Sequence, residues 1–360
     1  MKRTLVLMLA AVAYMFCGNV GLWAQCYHTR DCFSYEPNEE CGLLPPGAVC
    51  GLPGAIDVQA CSWKDYRCPP AAGVTETRGS CPNCNKPISL TDGNTYITQT
   101  DISVPGLGGG LKLERTWNSI WPSTQITSQI GIFGKNWSSN IEERAFVGSD
   151  SYVKYARGNG SFWSFAWSEF GTGETSILKV AAPANATETL VAGASTWTIT
   201  DKSGNNRVFN ATTGQIQSIT DRNGNTTQFT YDSVLRLVTV TDPASRHLYF
   251  TYGQGDQFYL VSSVTSDVGI SMSYAYDDCQ RLVQVTKPDN AVFNFEYGQS
   301  SINDVCSPLI TAVKDGAGKI LEAHSYDGEG KGLTGTEALG VNAVTITWPD
   351  HVFRLSDPLN

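Results

Sequence analysis

Residues 216–232 read IQSITDRNGNTTQFTYD, and this stretch decides the fold. Two runs of alternating polar and apolar residues flank the segment from Asp221 to Asn225. Alternation with a period of two is typical of a β-strand with one buried face, and Asn and Gly supply the positive φ angles of a tight turn. The stretch therefore predicts a β-hairpin.

The same unit recurs along the second half of the chain. The pairs Tyr231-Asp232, Tyr276-Asp277 and Tyr326-Asp327 each close an alternating run, and further aspartates mark turns at 20 to 26 residue intervals: Asp201, Asp221, Asp242, Asp267, Asp289 and Asp315. A fixed period in this range indicates one supersecondary unit used many times. We see no helical stripe between residues 195 and 360, so an all-β array of tandem hairpins is predicted, with Tyr on the sheet face and Asp opening the turn.

Two arginines stand in a shared position in this repeat. Arg236 and Arg281 each precede a leucine shortly after a Tyr-Asp pair. We expect their side chains to pack over tyrosine rings of the sheet, since an arginine over an aromatic face gains about 0.5–2 kcal/mol.

These units resemble the Tyr-Asp (YD) repeats of the RHS family, which is related to toxin-complex C proteins and teneurins. Landmarks similar to the domain that precedes such repeats occur in residues 85–96, in Leu113–Ser119 and in Phe133–Trp137. The resemblance covers about residues 85–357. It implies a spiralling β-sheet that in large members closes into a shell around a C-terminal toxin or caps a delivery machine. This chain lacks the family's autoproteolysis core and ends within a repeat, so we expect a curved, incomplete sheet.

The chain divides into four predicted segments. Residues 1–24 form a signal peptide, with Lys2 and Arg3 before an apolar core, residues 25–84 a cysteine-rich segment, residues 85–194 a pre-repeat β domain, and residues 195–360 the repeat array. The signal indicates a secreted or cell-envelope location. The apolar core is too short for a membrane span.

The cysteines predict disulfide bonds. An even, dense set in an exported segment is typical of a disulfide framework, and its members are Cys26, Cys32, Cys41, Cys50, Cys61, Cys68, Cys81 and Cys84. Eight cysteines allow 105 pairings, so no connectivity is assigned. Cys279 and Cys306 are expected to bridge neighbouring repeats. The Cys81–Cys84 spacing also fits a zinc or redox motif, but the strand and helix of a redox site are not visible.

One aromatic segment is a candidate binding surface. In Phe162–Trp167, Trp163, Phe165 and Trp167 alternate onto one face of a predicted strand. Such a face is most often core. The alternative is a stacking platform for sugar rings or for a partner.

Little in the sequence indicates an enzyme. We find no nucleophile elbow, zinc-protease motif or phosphate loop, and the adjacent Glu142 and Glu143 would point to opposite faces of a strand. Asp221–Asn225 is similar to the start of a calcium loop, but its Gly224 is misplaced for one. No cofactor and no metal are predicted. A net charge of −9 argues against a nucleic-acid partner.

The sequence thus predicts a non-enzymatic exported module that binds glycans or cell surfaces, or that acts in contact-dependent competition between cells. Its partners would be a glycan, a cell surface, a further RHS chain or a toxin. The alternative function is a shell fragment of a polymorphic toxin system whose toxin domain is missing or encoded separately.

Overall fold

A computed structural model describes residues 27–29, 65–67, 88–89, 93–120, 131–148, 152–170, 176–182, 186–298, 306–340, 343–347 and 354–356. The predicted signal peptide and nearly all of the cysteine-rich segment lie outside these residues. The strands, numbered in chain order, are β1 Tyr27–Thr29, β2 Asp65–Arg67, β3 Tyr96–Val104, β4 Leu111–Asn118, β5 Trp137–Ser139, β6 Arg144–Val147, β7 Val153–Ala156, β8 Phe162–Phe170, β9 Ser176–Ala182, β10 Thr189–Ala192, β11 Thr196–Thr200, β12 Asn206–Asn210, β13 Ile216–Thr220, β14 Thr226–Tyr231, β15 Leu237–Thr241, β16 His247–Tyr252, β17 Val261–Ser266, β18 Ser271–Tyr276, β19 Leu282–Thr286, β20 Val292–Tyr297, β21 Ile310–Asp315, β22 Ile320–Tyr326, β23 Gly332–Glu337, β24 Val344–Thr347 and β25 Arg354–Ser356.

The described residues contain no α-helix; their helical turns are of the 3₁₀ type, at Leu107–Gly109, Gly255–Gln257 and Ala338–Gly340. The prediction of an all-β protein built from antiparallel hairpins is therefore confirmed. Over the same residues, no helix combines the length and the hydrophobicity that crossing a membrane requires.

The chain forms two compact units. The first comprises residues 1–72, 145–155 and 163–214, and the second comprises residues 73–144, 156–162 and 215–360. In the first unit, β1 pairs with β2, and β8 to β12 follow one another as antiparallel neighbours. Phe165, Leu178, Leu190 and Phe209 are fully buried there because each strand turns one face inward.

The second unit contains two sheets. One is a three-stranded sheet of β3, β4 and β5. The other is a run of antiparallel hairpins from β13 to β25, each strand paired with the next along the chain. Short connections and sequential pairing are what the hairpin pattern predicts.

Each repeat buries one face and exposes the other. On β16, Leu248, Phe250 and Tyr252 are buried, whereas Tyr249 and Thr251, which alternate with them, are exposed. The repeat strands thus follow the pattern apolar in and polar out that sheets with one covered face show.

Candidate functional site

Seven turns of the described hairpins share one hydrogen-bond pattern centred on an aspartate. At Asp232 the carboxylate Oδ1 accepts the N–H groups of Val234 and Arg236, and the backbone N–H of Asp232 donates to the carbonyl of Arg236. The same contacts to the residues two and four positions on recur at Asp201, Asp221, Asp242, Asp277, Asp315 and Asp327. At these positions the predicted role of Asp in opening the turn is confirmed, because its side chain accepts backbone N–H groups that the turn leaves without a partner. For Asp267 and Asp289 the prediction is wrong: Ser266 and Lys287 make the turn-opening backbone hydrogen bonds there, and each aspartate follows the opening residue.

The residue four positions after the aspartate completes the turn. Arg236, Arg246 and Arg281 each donate from Nε to the second carboxylate oxygen of their aspartate, at 2.7–2.8 Å. Burial works to raise the pKa of Asp242, but the bonds from Arg246 outweigh it, so the pKa lies below its usual range. Asp242 therefore stays charged at neutral pH.

The two arginines of the Arg-Leu pairs also reach into the next repeat. The guanidinium carbon of Arg236 lies 4.8 Å from the ring centre of Tyr252, and that of Arg281 lies 4.8 Å from the ring centre of Tyr297. Arg236 Nη1 donates to the carbonyl of Phe258 as well. The predicted packing of these arginines over tyrosines is confirmed.

Five buried or half-buried tyrosines form a series that runs across the sheet, the tyrosine ladder: Tyr231, Tyr252, Tyr276, Tyr297 and Tyr326. Each hydroxyl donates to a backbone carbonyl 15 or 16 residues earlier, namely that of Ile216, Leu237, Val261, Leu282 and Ile310, at 2.6–2.9 Å. Burial is the main reason that the pKa of each of these tyrosines lies far above its ordinary value. The hydroxyls therefore act as permanent donors.

A register shift precedes every tyrosine of the ladder. Tyr252 pairs with Val261 after such a shift, and the carbonyl of Val261 accepts the hydroxyl of Tyr276, which in turn pairs with Leu282. A β-bulge re-aims the side chain that follows it. After the bulge, each of the first four tyrosines pairs with the first residue of the following strand. The carbonyl of that residue then accepts the hydroxyl of the next tyrosine in the ladder.

Tyr252 and Tyr297 belong to this ladder although a glycine, not an aspartate, follows each of them. The Tyr-Asp dipeptide is therefore an incomplete marker of the repeat. The signal that finds all five members is a tyrosine at the end of an alternating run, 15 or 16 residues after the first apolar residue of an earlier strand.

The second distinctive cluster, the arginine pin, consists of Arg115, Asp101 and Tyr274. Asp101 accepts hydrogen bonds from Arg115 Nε, from Arg115 Nη2 at 2.9 Å and from the Tyr274 hydroxyl at 2.8 Å. The side chains of Arg115 and Asp101 are both fully buried. The pin therefore joins β3 and β4 to the repeat strand β18.

Aromatic rings enclose the guanidinium of the arginine pin. Its central carbon lies 4.6 Å from the ring centre of Trp137, 5.3 Å from that of Tyr274 and 5.5 Å from that of Phe133. Burial alone would lower the pKa of Arg115, but the charge of Asp101 raises it above its usual value. A bidentate, fully desolvated ion pair results, which is costly to break.

Other landmark residues of the pre-repeat segment also contact the repeats. Trp117 Nε1 donates to the carbonyl of Pro308 at 3.1 Å, and the Trp137 ring lies edge-on to Phe295 with centres 5.3 Å apart. Their rings are completely buried. These residues are framework, because their rings and the Trp117 Nε1–H pack the β3–β5 sheet on the hairpins.

Glu142 is a half-buried residue beside this sheet. Its oxygens accept the backbone N–H of Ile132 at 2.6 Å and the hydroxyl of Ser139. Burial raises the pKa of Glu142 to about 7, although these two hydrogen bonds oppose the shift. Glu142 therefore holds the loop before β5, and its charge changes near neutral pH.

The candidate aromatic surface remains a prediction. Phe165 is completely buried, whereas Trp163 is half-buried with its ring centre 5.8 Å from that of Tyr155. The side chain of Trp167 lies outside the described part of the chain.

The cysteines fall into two groups. Cys279 and Cys306 form a disulfide with their Cα atoms 5.3 Å apart, which ties the Asp277 turn to the residues before β21. The framework predicted from Cys26 to Cys84 lies outside the described residues. Among the residues that the structure describes, no group of three His, Cys, Asp or Glu could hold a metal ion.

Comparison with known proteins yields matches in both halves of the chain. Residues 212–247 match the RHS Repeat family, and residues 85–165 match DUF6531, a domain of unknown function. The tRNA nuclease WapA of Bacillus subtilis is 26% identical over 140 residues, as is the tRNA3(Ser)-specific nuclease WapA of Bacillus spizizenii. The alignments cover 39% of this chain and 5% of each relative.

Similar solved structures include the TcdB2-TccC3-Cdc42 complex and the Photorhabdus luminescens Tc holotoxin pore. Both are 13% identical, cover 59% of this chain and 13% or 12% of the other, and have TM-scores of 0.32 and 0.31.

Proposed function

Because this chain belongs to the RHS (YD-repeat) family, we propose that it is an exported, non-enzymatic wall module that acts in contact-dependent competition between cells. The observation that carries the proposal is the use of its most distinctive residues. The turn aspartates, the tyrosine ladder and the arginine pin all form hydrogen bonds within the fold that connect strands or close turns. Repeats of this kind build extended surfaces.

A secretion and competition assay tests this function. Cells that produce the chain with residues 1–24 intact should export it and should reduce the recovery of a competitor lacking it, and a permeable filter between the two should abolish the effect. Retention of the chain inside the producing cell, or an effect that passes the filter undiminished, would refute the proposal.

The non-enzymatic part is tested separately because the WapA relatives are named as tRNA nucleases. Purified chain incubated with total tRNA and Mg²⁺ should leave the tRNA intact at chain concentrations that match those of the competition assay. Cleavage that is absent from a mock purification would make the chain an enzyme.

The second candidate function is a shell segment of a polymorphic toxin system. The match to WapA favours this role, since the 140 aligned residues are 5% of relatives that are named as tRNA nucleases. Reading frames beside the gene that continue the repeats or encode a nuclease would support this role. Failure of their products to co-purify with this chain would count against it.

Surface binding is the third element of the proposal. Trp163, half-buried beside Tyr155, would offer part of an aromatic platform to a glycan or a cell-surface partner. Trp163→Ala should lower attachment to target cells while leaving the melting temperature within a few degrees, and a large loss of stability would instead assign Trp163 to the core.

A further inference from the structure

A disulfide of the repeat array lies next to two contacts with the pre-repeat segment. Cys279 and Cys306 form it, and we call this pair the cysteine clamp. On one side, the carbonyl of Gln280, the residue after Cys279, accepts the backbone N–H of Lys135 at 3.2 Å. The two segments approach so closely that a Cβ on Gly134 would lie 2.8 Å from this carbonyl oxygen. One half of the clamp therefore lies against the loop that leads into β5.

The other half of the clamp lies next to a contact with β4. Cys306 is followed by Ser307 and Pro308, and the carbonyl of Pro308 accepts the indole N–H of Trp117 at 3.1 Å. Because the Trp117 ring is fully buried, losing this acceptor would leave a buried donor unsatisfied. The carbonyl of Ser307 accepts Arg281 Nη1 at 3.0 Å. The residues after Cys306 thus connect a repeat turn to the β3–β5 sheet.

The turn that carries Cys279 does not need the clamp to form. Cys279 donates its backbone N–H to Asp277 at 3.0 Å, and Arg281 Nε donates to the same carboxylate at 2.7 Å. The other turns of this pattern make the same backbone contact with side chains of every kind in place of the cysteine: Ser203, Asn223, Val234, Ala244, Ala317 and Glu329. Opening the disulfide should therefore leave this turn intact and should act on the Cys306 side.

The segment from Cys306 to Leu309 lies outside the ladder of the sheet, because β21 begins only at Ile310. Hydrogen bonds hold it through three carbonyls, those of Ser307, Pro308 and Leu309, the last accepting the N–H of Gly298 at 2.9 Å. Such bonds contribute modestly in aqueous solution. The disulfide adds a covalent link between cysteines 27 residues apart, which restricts where this segment can go.

The clamp is open to attack by a small thiol, because both of its cysteines are half-buried and neither is enclosed in the core. A thiolate attacks one sulfur, forms a mixed disulfide with it and releases the other cysteine as a thiolate. A second thiolate attacks the external sulfur of the mixed disulfide and releases the second cysteine. The protein disulfide takes up two electrons and two protons, and the two external thiols leave as their own disulfide.

We infer that the cysteine clamp is a redox switch for the docking of β4: thiols open it, and opening frees the segment from Cys306 to Leu309 and its contact with Trp117 while the hairpins stay paired. The arginine pin holds β3 and β4 independently, so the sheet loosens at one end and does not detach. Disulfides form in oxidising compartments, so an exported chain would close the clamp outside the cell. That consequence rests on the proposed export, whereas the switch itself does not.

The test compares hydrogen exchange of the purified chain, followed by NMR, before and after incubation with dithiothreitol. Reduction should accelerate exchange of the Trp117 indole N–H, assigned with Trp117→Phe, by at least about tenfold, because its acceptor is no longer held in place. The backbone amides of Ser271–Tyr276 and Leu282–Thr286, on either side of the Asp277 turn, should change by less than about twofold.

A double variant separates the clamp from the other cysteines, since the chain contains 11 of them. Cys279→Ser combined with Cys306→Ser should show fast exchange at Trp117 without any thiol, and dithiothreitol should add nothing there. A further acceleration by dithiothreitol in this variant would assign the effect to other cysteines and refute the switch. If the double variant does not fold, the comparison of oxidised and reduced wild-type chain decides alone.

Three results with the wild-type chain would also overturn the inference. Unchanged exchange at Trp117 after complete reduction would make the disulfide a passive staple. Equal acceleration at Trp117 and in the hairpin amides would mean that reduction unfolds the whole unit. A disulfide that dithiothreitol reduces only in the presence of denaturant would not be a switch in the folded protein. The competition assay is scored separately, so these results leave the proposed function untouched.

Discussion

The β3–β5 sheet and the repeat hairpins occupy the same unit of the protein but are held in different ways. The hairpins use one solution many times, an aspartate-centred turn and a tyrosine hydroxyl on a carbonyl of an earlier strand. The β3–β5 sheet relies on single features, above all the arginine pin. Repetition spreads stability over many modest contacts, whereas a single buried ion pair concentrates it in one place.

The largest expected effect comes from breaking the arginine pin. Arg115→Met should lower the free energy of unfolding by about 3–5 kcal/mol, because Asp101 would be left charged and buried without its partner. Urea unfolding of the purified chain measures the loss. Adding Asp101→Asn should restore part of it, and a loss below about 1 kcal/mol in the single variant would show that the pin does not carry the sheet.

The two regions should also respond to pH with opposite signs. The pKa of Glu142 is raised to about 7, so the folded protein binds more protons than the unfolded chain between about pH 4.5 and 7, and stability should fall by up to roughly 3 kcal/mol as the pH rises through this window. Glu142→Gln should flatten that decline. Melting temperatures measured from pH 3 to 8 check both statements.

The turn aspartates should make the stability change with pH in the opposite direction to Glu142. The lowered pKa values of Asp201, Asp221, Asp232 and Asp242 stabilise the fold above the unfolded-state value of about 3.9 and should cause a loss of stability as the pH falls through and below it. Stability should therefore peak between the two windows. A monotonic rise of the melting temperature up to pH 8 in the wild type would contradict the assignment to Glu142.

A smaller effect is expected from a single turn. Asp242→Ala should cost about 2 kcal/mol, because the N–H groups of Ala244 and Arg246 and the Arg246 guanidinium lose a buried acceptor. Asp221→Ala, in an exposed turn, is the matched control and should cost less. Equal losses in urea unfolding would mean that burial of the carboxylate has no influence.

The smallest effects should come from the tyrosine ladder, one rung at a time. Tyr252→Phe removes the bond to the carbonyl of Leu237 and should cost about 1 kcal/mol, and Tyr297→Phe should cost a similar amount. Tyr249→Phe, on the exposed face of the same strand as Tyr252, should leave the unfolding midpoint unchanged. An equal loss of unfolding free energy in Tyr249→Phe would show that the hydroxyl–carbonyl bonds of the ladder do not stabilise the fold.

Much of the hairpin region could be predicted from the sequence because its determinants are local. Alternation, the turn residues from Asp221 to Asn225 and the Arg-Leu pairs all lie within one repeat. The arginine pin could not be predicted in this way, since Asp101 and Tyr274 are 173 residues apart and no period relates them. Tyr252 and Tyr297 escape a search for the Tyr-Asp dipeptide because a glycine follows each of them, and only the longer spacing to an earlier strand identifies them.

The position of Glu142 relative to the strands also could not be predicted from the sequence. Glu142 and Glu143 were interpreted as residues on opposite faces of a strand, but Glu142 lies in the turn between β5 and β6 and is tied to Ser139. The two residues follow each other outside any strand, so the strand argument against a carboxylate pair does not apply to them. Desolvation in the folded protein raises the pKa of Glu142, and neither the residue pair nor its spacing in the sequence reveals that environment.

Hydrogen exchange of the wild type, Arg115→Met and Tyr252→Phe tests most directly whether the two regions are held by different means. In Arg115→Met, exchange should accelerate throughout Tyr96–Val104 and Leu111–Asn118, with little change at Thr226–Tyr231; in Tyr252→Phe, acceleration should stay within the neighbouring strands of the ladder. Uniform acceleration across both regions in both variants would contradict the account.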